Sequence, residues 1–91
     1  MRYHVKPSNK FLRDVKRMEK RNKDLDKLTA VIKIIASGEK LPDKYDDHAM
    51  TGNWKGHRDC HIEADWVLIY RIERDTLFLT LSRTGSHSDL I

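Results

Sequence analysis

From Ser8 to Arg21 the apolar residues Phe11, Leu12, Val15 and Met18 recur at one-, three- and four-residue steps and fall on one side of a helical wheel. Lys10, Arg13, Lys16, Arg17, Lys20 and Arg21 fall on the other. The pattern predicts a two-faced helix with Ser8 as its N-cap, because a serine hydroxyl can accept from an N–H that the first turn leaves unpaired. A second helical pattern opens near Asp24. Its Leu25, Leu28, Val31, Ile32, Ile34 and Ile35 cover well over half the circumference, which predicts the more buried helix of the two. Gly38 is placed at C′ to end it. The short link between the two patterns predicts an antiparallel helical hairpin.

Elsewhere the chain alternates. Tyr3 and Val5, flanked by polar residues, predict a short first strand that ends before Pro7. The stretch EKLPDKYDDHAMTGNW reads as a loop, with Pro42, Gly52 and a cluster of aspartates. Strand patterns follow at residues 56–62, 66–72 and 76–82, and Glu73, Arg74 and Asp75 suit the last hairpin turn. The order β-α-α-β-β-β with a polar tail RTGSHSDLI predicts one α+β domain over residues 1–91, two helices on one face of a small antiparallel sheet.

Composition narrows the class. Charged residues make up 35% of the chain and no apolar run is long enough to span a bilayer, so no membrane role is expected. The N-terminus MRYHVKPSNK has no apolar core of a signal peptide, and a single cysteine makes no internal disulfide; both fit the cytoplasm. The net charge of +4 is uneven: residues 1–40 hold twelve Lys and Arg against five Asp and Glu, residues 41–91 six against nine. A basic first half suits a polyanion or an acidic protein partner, and charge alone does not separate these from a solvated helix surface.

The chemistry concentrates in HRDCHIEADW, residues 57–66. On a strand His57, Asp59 and His61 point one way, while Arg58, Cys60 and Ile62 point the other. Cys60 therefore cannot join Asp59 and His61 on one ion, and it reads as a small core residue. His57 and His61 lie roughly 13 Å apart along the strand, too far to share a zinc bound at about 2.0–2.1 Å. No metal or other cofactor is expected. Acid–base chemistry fits better, since an imidazole titrates near neutrality. His48 in the preceding loop and His87 in the tail could converge with His61 on one face of the sheet. Asp59 and Asp65 could orient an imidazole, and Arg83 could meet an anion. Trp66 reads as either core or a stacking platform, and Trp54 is equally open.

The segments DHAMTGNWKGHRDCHIEADWVLIYRI and LSRTGSHSDLI resemble bacterial toxins of the RelE/ParE superfamily, most closely the YafQ-type mRNA interferases. The resemblance implies a RelE-like α+β fold and a metal-independent, ribosome-dependent endoribonuclease that cuts mRNA. It also implies a cognate antitoxin, a small acidic inhibitory protein through which the toxin meets operator DNA. The family's functional positions fall on His48, Asp59, His61, Asp65, Arg83 and His87. Its C-terminal aromatic is Ile91 here, apolar but unable to stack; Ala64 stands for a common proline and Met50 for a leucine. Under this resemblance His87 is the expected general acid, His48 or His61 the base, and Arg83 the phosphate holder. Lys10, Arg13, Arg17, Lys20, Lys55 and Arg58 would meet RNA backbone, with Trp66 and Ile91 as further RNA contacts. Two other functions share the fold and the charge: a ParE-like module that inhibits DNA gyrase by binding, and an RNA-binding protein without catalysis. Neither requires histidines at positions 48, 61 and 87.

Overall fold

The computed structural model describes residues 2–90. Its elements are β1 (His4–Pro7), α1 (Asn9–Lys20), α2 (Leu25–Ala36), β2 (His48–Ala49), β3 (Arg58–Glu63), β4 (Trp66–Glu73), β5 (Phe78–Gly85) and α3 (His87–Leu90). Single 3₁₀ turns at Asp43–Tyr45 and Gly52–Trp54 break up the long loop. The class is α+β, as the pattern of residues predicts, but the sheet is mixed.

Five strands lie in the order β1-β5-β4-β3-β2, and β1 runs parallel to β5 while the other neighbours are antiparallel. An all-antiparallel reading misses this because the first strand's partner lies at the far end of the chain. Pro7 extends β1 rather than following it, which an edge strand permits because it does not need every N–H. Ser8 N–H donates to the Leu81 carbonyl (2.9 Å) and its hydroxyl to the Ser82 carbonyl (2.9 Å). The same Ser8 oxygen accepts from Phe11 N–H at 3.0 Å, so one residue caps α1 and pins it to β5.

The buried side of α1 is Phe11, Asp14 and Met18, and Leu12 is 48% exposed. The helical wheel therefore holds for three of its four expected apolar positions, and a buried carboxylate takes the place of the fourth. In α2 the buried set is Leu28, Val31, Ile35 and Ala36, and Gly38 (φ +85°) closes the helix in the left-handed conformation. These side chains pack on Cys60, Ile62, Trp66, Leu68, Tyr70, Leu79 and Leu81, the core-facing positions of β3, β4 and β5. Val67 and Ile69 alternate with them on β4 and are also buried, at the floor of the opposite face.

The last strands start later than the apolar pattern suggests. β3 begins at Arg58 and β5 at Phe78, because Thr76 and Leu77 complete the turn, with Leu77 in a positive-φ conformation (59°). The tail folds into α3, which is docked on β5 at Gly85. A Cβ on Gly85 would lie 2.9 Å from the Asp89 carboxylate, so the close approach of tail and strand depends on glycine.

Candidate active site

Strand register lines up the polar residues. His48 on β2 pairs with Asp59 on β3, which pairs with Ile69 on β4, which pairs with Arg83 on β5. In the next row His61 pairs with Val67 and Val67 with Gly85, two residues before His87. The alternation of β3 thus puts Asp59 and His61 over the Val67–Ile69 floor, while Cys60 and Ile62 enter the core. His48 is on a two-residue strand rather than in a free loop, and His87 opens α3.

Each imidazole has a carboxylate beside it. The His87 Nδ1–H donates to Asp65 Oδ1 at 2.8 Å, and the same oxygen accepts the His87 backbone N–H at 3.1 Å. This fixes the tautomer and leaves Nε2 as the outward, exchangeable position. The contact with His87 holds the Asp65 carboxyl below the usual range. His61 lies next to His87, with ring centroids 5.5 Å apart, and its Nε2 is 3.8 Å from Asp46 Oδ2. The His48 Nδ1–H donates to the Asp46 carbonyl at 2.9 Å, so in the neutral ring Nε2 carries the lone pair. That Nε2 is 3.0 Å from Asp59 Oδ1, a buried oxygen that has no hydrogen bond in line with it. A proton taken up by His48 at Nε2 would supply the missing charge partner.

Arg83 reaches the rim of this face on a tether. Asp14 of α1 accepts from its Nε (2.7 Å) and Nη2 (3.1 Å), and from Thr84 N–H (3.1 Å). Arg17 is drawn to the same carboxylate at 3.3 Å. The pairing with Asp14 raises the Arg83 pKa and leaves Nη1 to face an anion. Among the described residues Lys10, Arg13 and Lys20 are exposed and make no ion pair, and Lys55 is exposed in the loop.

Two expected RNA contacts are corrected by this geometry. Trp66 is 0% exposed and donates from Nε1 to Thr84 Oγ1 at 2.9 Å, so it is a core residue that no base can stack on. Arg58 alternates with Asp59 onto the other side of β3, where it pairs with Asp47 at 3.2 Å. Ile91 lies outside the described residues. Cys60 is buried, and desolvation with Asp47 and Asp59 nearby pushes its thiol up to about 12, which removes it as a nucleophile.

Residue type alone does not single out Asp46, Asp47 or Asp89. Asp47 accepts from Tyr70 Oη at 2.5 Å and from the Arg58 guanidinium, which anchors the loop that presents Asp46 and His48. Asp89 accepts from Arg21 Nη1 (2.6 Å) and Nη2 (2.9 Å) and from Ser86 N–H (2.9 Å), which latches α3 and therefore His87. Arg21 thus leaves the cationic stripe to close the tail.

The Arg21 hydrogen bonds hold the Asp89 carboxyl well below the usual carboxylate range. A depressed carboxylate stabilises the fold above its unfolded pKa of about 3.9, and the contribution is lost as pH falls through the native value. Acid titration followed by circular dichroism should therefore show a shallower loss of Tm below about pH 4 in Asp89→Asn than in the parent. Equal slopes would exclude the latch as a source of acid sensitivity.

Among the described residues no group of three or more His, Cys, Asp or Glu is gathered to hold a metal ion, and no helix is long and apolar enough to cross a membrane. Comparison with known proteins agrees with the geometry. The family described as "Bacterial toxin of type II toxin-antitoxin system, YafQ" matches residues 3–91. The mRNA interferase toxin YafQ of Escherichia coli (strain K12) is 41% identical over 87 residues, covering 94% of this chain and 92% of that protein. The toxin in the crystal structure of the E. coli DinJ-YafQ complex superposes with a TM-score of 0.87 at 39% identity, over 98% of both chains. A metal-bound toxin from Helicobacter pylori superposes with a TM-score of 0.92 at 37% identity, over 98% of this chain and 99% of that one. With the family matched over nearly its whole length, the chain belongs to the YafQ family of bacterial toxins of type II toxin–antitoxin systems.

Proposed function

We propose that this toxin is a ribosome-dependent endoribonuclease that cleaves mRNA by attack of a ribose 2′-OH on the adjacent phosphodiester. The observation that carries the reading is the exposed face on which His48, His61 and His87 follow one another, each with a carboxylate at its side. The name of the E. coli relative, an mRNA interferase, supports the substrate class.

The base is His48. Its Nε2 takes the 2′ proton, and Asp59 stabilises the imidazolium that results. The 2′ oxygen forms the new bond to phosphorus, the P–O5′ bond breaks, and His87 Nε2 gives its proton to the leaving 5′ oxygen. Base and acid lie at opposite ends of the arc of imidazoles, as an in-line displacement requires. His61, between them, and Arg83 Nη1 meet the charge that grows on the phosphoryl oxygens. The products are a 2′,3′-cyclic phosphate and a free 5′-OH. No step uses a metal ion, although the H. pylori relative is metal-bound.

Lys10, Arg13, Lys20 and Lys55 meet ribosomal RNA backbone through salt-sensitive contacts. The partner is an acidic antitoxin, a reading supported by the complex that the E. coli toxin forms with DinJ, and operator DNA is reached through it. The site of action is the cytoplasm, where ribosomes and mRNA meet.

Primer extension on ribosome-bound mRNA tests the reading. Discrete new ends are expected, with 2′,3′-cyclic phosphate termini, and none where the attacking nucleotide is 2′-deoxy. Full-length mRNA combined with gyrase inhibition would overturn it. Toxin treated with EDTA and desalted before addition to ribosomes is expected to cleave at an unchanged rate; loss of cleavage that zinc restores would overturn the metal-free chemistry. A third arm concerns the base. His48→Ala should lose the acidic limb of the pH–rate profile, and the same loss in His61→Ala with His48→Ala unaffected would move the base to His61.

A further inference from the structure

A cavity of about 480 Å³ opens directly beside His61, between α2 and the Asp43–Tyr45 turn. The proton-transfer scheme uses only its His61–Asp46 edge. The volume is in the range of small-ligand sites and suits a nucleobase with its ribose. Ala30, Ile62 and half-buried Tyr45 give it apolar walls, and the Lys44 ammonium sits 5.0 Å from the centroid of the Tyr45 ring.

The charged groups around it are not equivalent. Glu63 is already neutralised by Lys23 (3.2 Å) and Lys27 (2.9 Å). Asp46 is 72% exposed at its side chain, and its one ionic contact is the 3.8 Å approach to His61. Lys44 makes no ion pair among the described residues. Asp46 closes the Asp43–Tyr45 turn in the left-handed conformation (φ 49°, ψ 46°), which aspartate adopts more readily than most residues with a Cβ, and this turn sets its carboxylate at the cavity mouth. What the cavity offers is an aromatic face, the Asp46 carboxylate, approached only by His61 at 3.8 Å, and the Lys44 ammonium, which lies over the Tyr45 ring and has no carboxylate partner among the described residues.

We infer that this cavity is a base-binding subsite for the nucleotide next to the scissile phosphodiester. The base leaves its neighbours in the strand and lies against Tyr45. Asp46 accepts from an exocyclic amino group, and Lys44 meets the phosphate. Adenine, cytosine and guanine carry such an amino group and uracil does not, so the subsite contributes to sequence preference. This rests on the ribonuclease reading for the identity of the polymer, but not for the binding itself.

Nucleoside monophosphates test it apart from catalysis, since they contain no bond to cleave. Titration of the ¹⁵N-labelled full chain with AMP, CMP and UMP should shift the amides of Ala30, Tyr45 and Ala64, with CMP binding more tightly than UMP. Tyr45→Ala should weaken AMP binding about 5- to 150-fold, the range for loss of one base–aromatic stack, and Tyr45→Phe should retain it. Shifts confined to α1, no shift at millimolar nucleotide, or a glutamate-rich peptide perturbing these amides where nucleotides do not, would overturn the subsite. If mRNA is cleaved without nucleotide shifts, the subsite alone falls; if nucleotides bind here and ribosome-bound mRNA stays intact, the nuclease reading alone falls.

Discussion

Replacing His87 with alanine is expected to slow cleavage of ribosome-bound mRNA by about 10²- to 10⁴-fold, the contribution of one positioned proton donor. The expectation rests on how the ring is held. Asp65 accepts from both the Nδ1–H and the backbone N–H of His87, and the Arg21–Asp89 latch fixes the turn that carries it. An imidazole held at two places loses little freedom when the substrate arrives, so its acid strength is delivered in a set direction. A single-turnover assay with saturating toxin measures the chemical step directly. The diagnostic is the leaving group: a substrate with sulfur in place of the 5′ oxygen needs no protonation, and His87→Ala should cleave it almost as fast as the parent does. A defect of equal size on both substrates would mean that His87 positions the RNA rather than protonates it. Arg21→Asp should lower the rate on the oxygen substrate, and combination with Asp89→Arg should restore part of it by remaking the ion pair.

Local chemistry made several elements legible. Ser8 and Asp24 announce the two helix starts because capping is decided within a few residues, and both side chains accept from early N–H groups of their helices. The alternation at Asp59, Cys60, His61 and Ile62 likewise assigns faces, since period two is a property of any strand. What escapes is whatever depends on partners far along the chain. Leu12 reads as core, yet the slot goes to Asp14, because Arg83 and Thr84, some seventy residues on, supply the hydrogen bonds that make a buried carboxylate tolerable. The parallel pairing of β1 with β5 is hidden for the same reason. Arg58 and Trp66 carry the right residue types for RNA but lie on the side of the sheet turned toward the helices. The site shows the same division. His61, Asp59 and His87 stand out by residue type, whereas Asp46 acquires its role from a left-handed backbone and Asp89 from Arg21, neither of which residue type reveals.

Asp14→Ala is expected to cost about 3–5 kcal/mol, the range for removing one partner of a buried ion pair. Asp14 is 1% exposed and satisfies three donors of β5 from α1: Arg83 Nε, Arg83 Nη2 and Thr84 N–H. Alanine fills none of these roles. The Thr84 amide is left buried without an acceptor, and the Arg83 guanidinium keeps its charge at the helix–sheet seam with no counterion. Arg17→Ala, by contrast, removes a half-exposed partner at 3.3 Å and should cost less than about 1 kcal/mol. Asp14→Asn retains one oxygen acceptor and should fall between the two. Urea unfolding reads the difference as a lower midpoint with an unchanged slope, and for a domain of this size Tm should drop by more than about 12 °C. A loss below about 1 kcal/mol would show that β5 holds Arg83 without help from α1. Under the proposed reaction the same substitution should also impair cleavage at temperatures where the variant is folded, because the carboxylate that stabilises the seam holds the guanidinium assigned to the phosphate. On that reading stability and catalysis meet at one buried carboxylate on a helix otherwise marked by its basic surface.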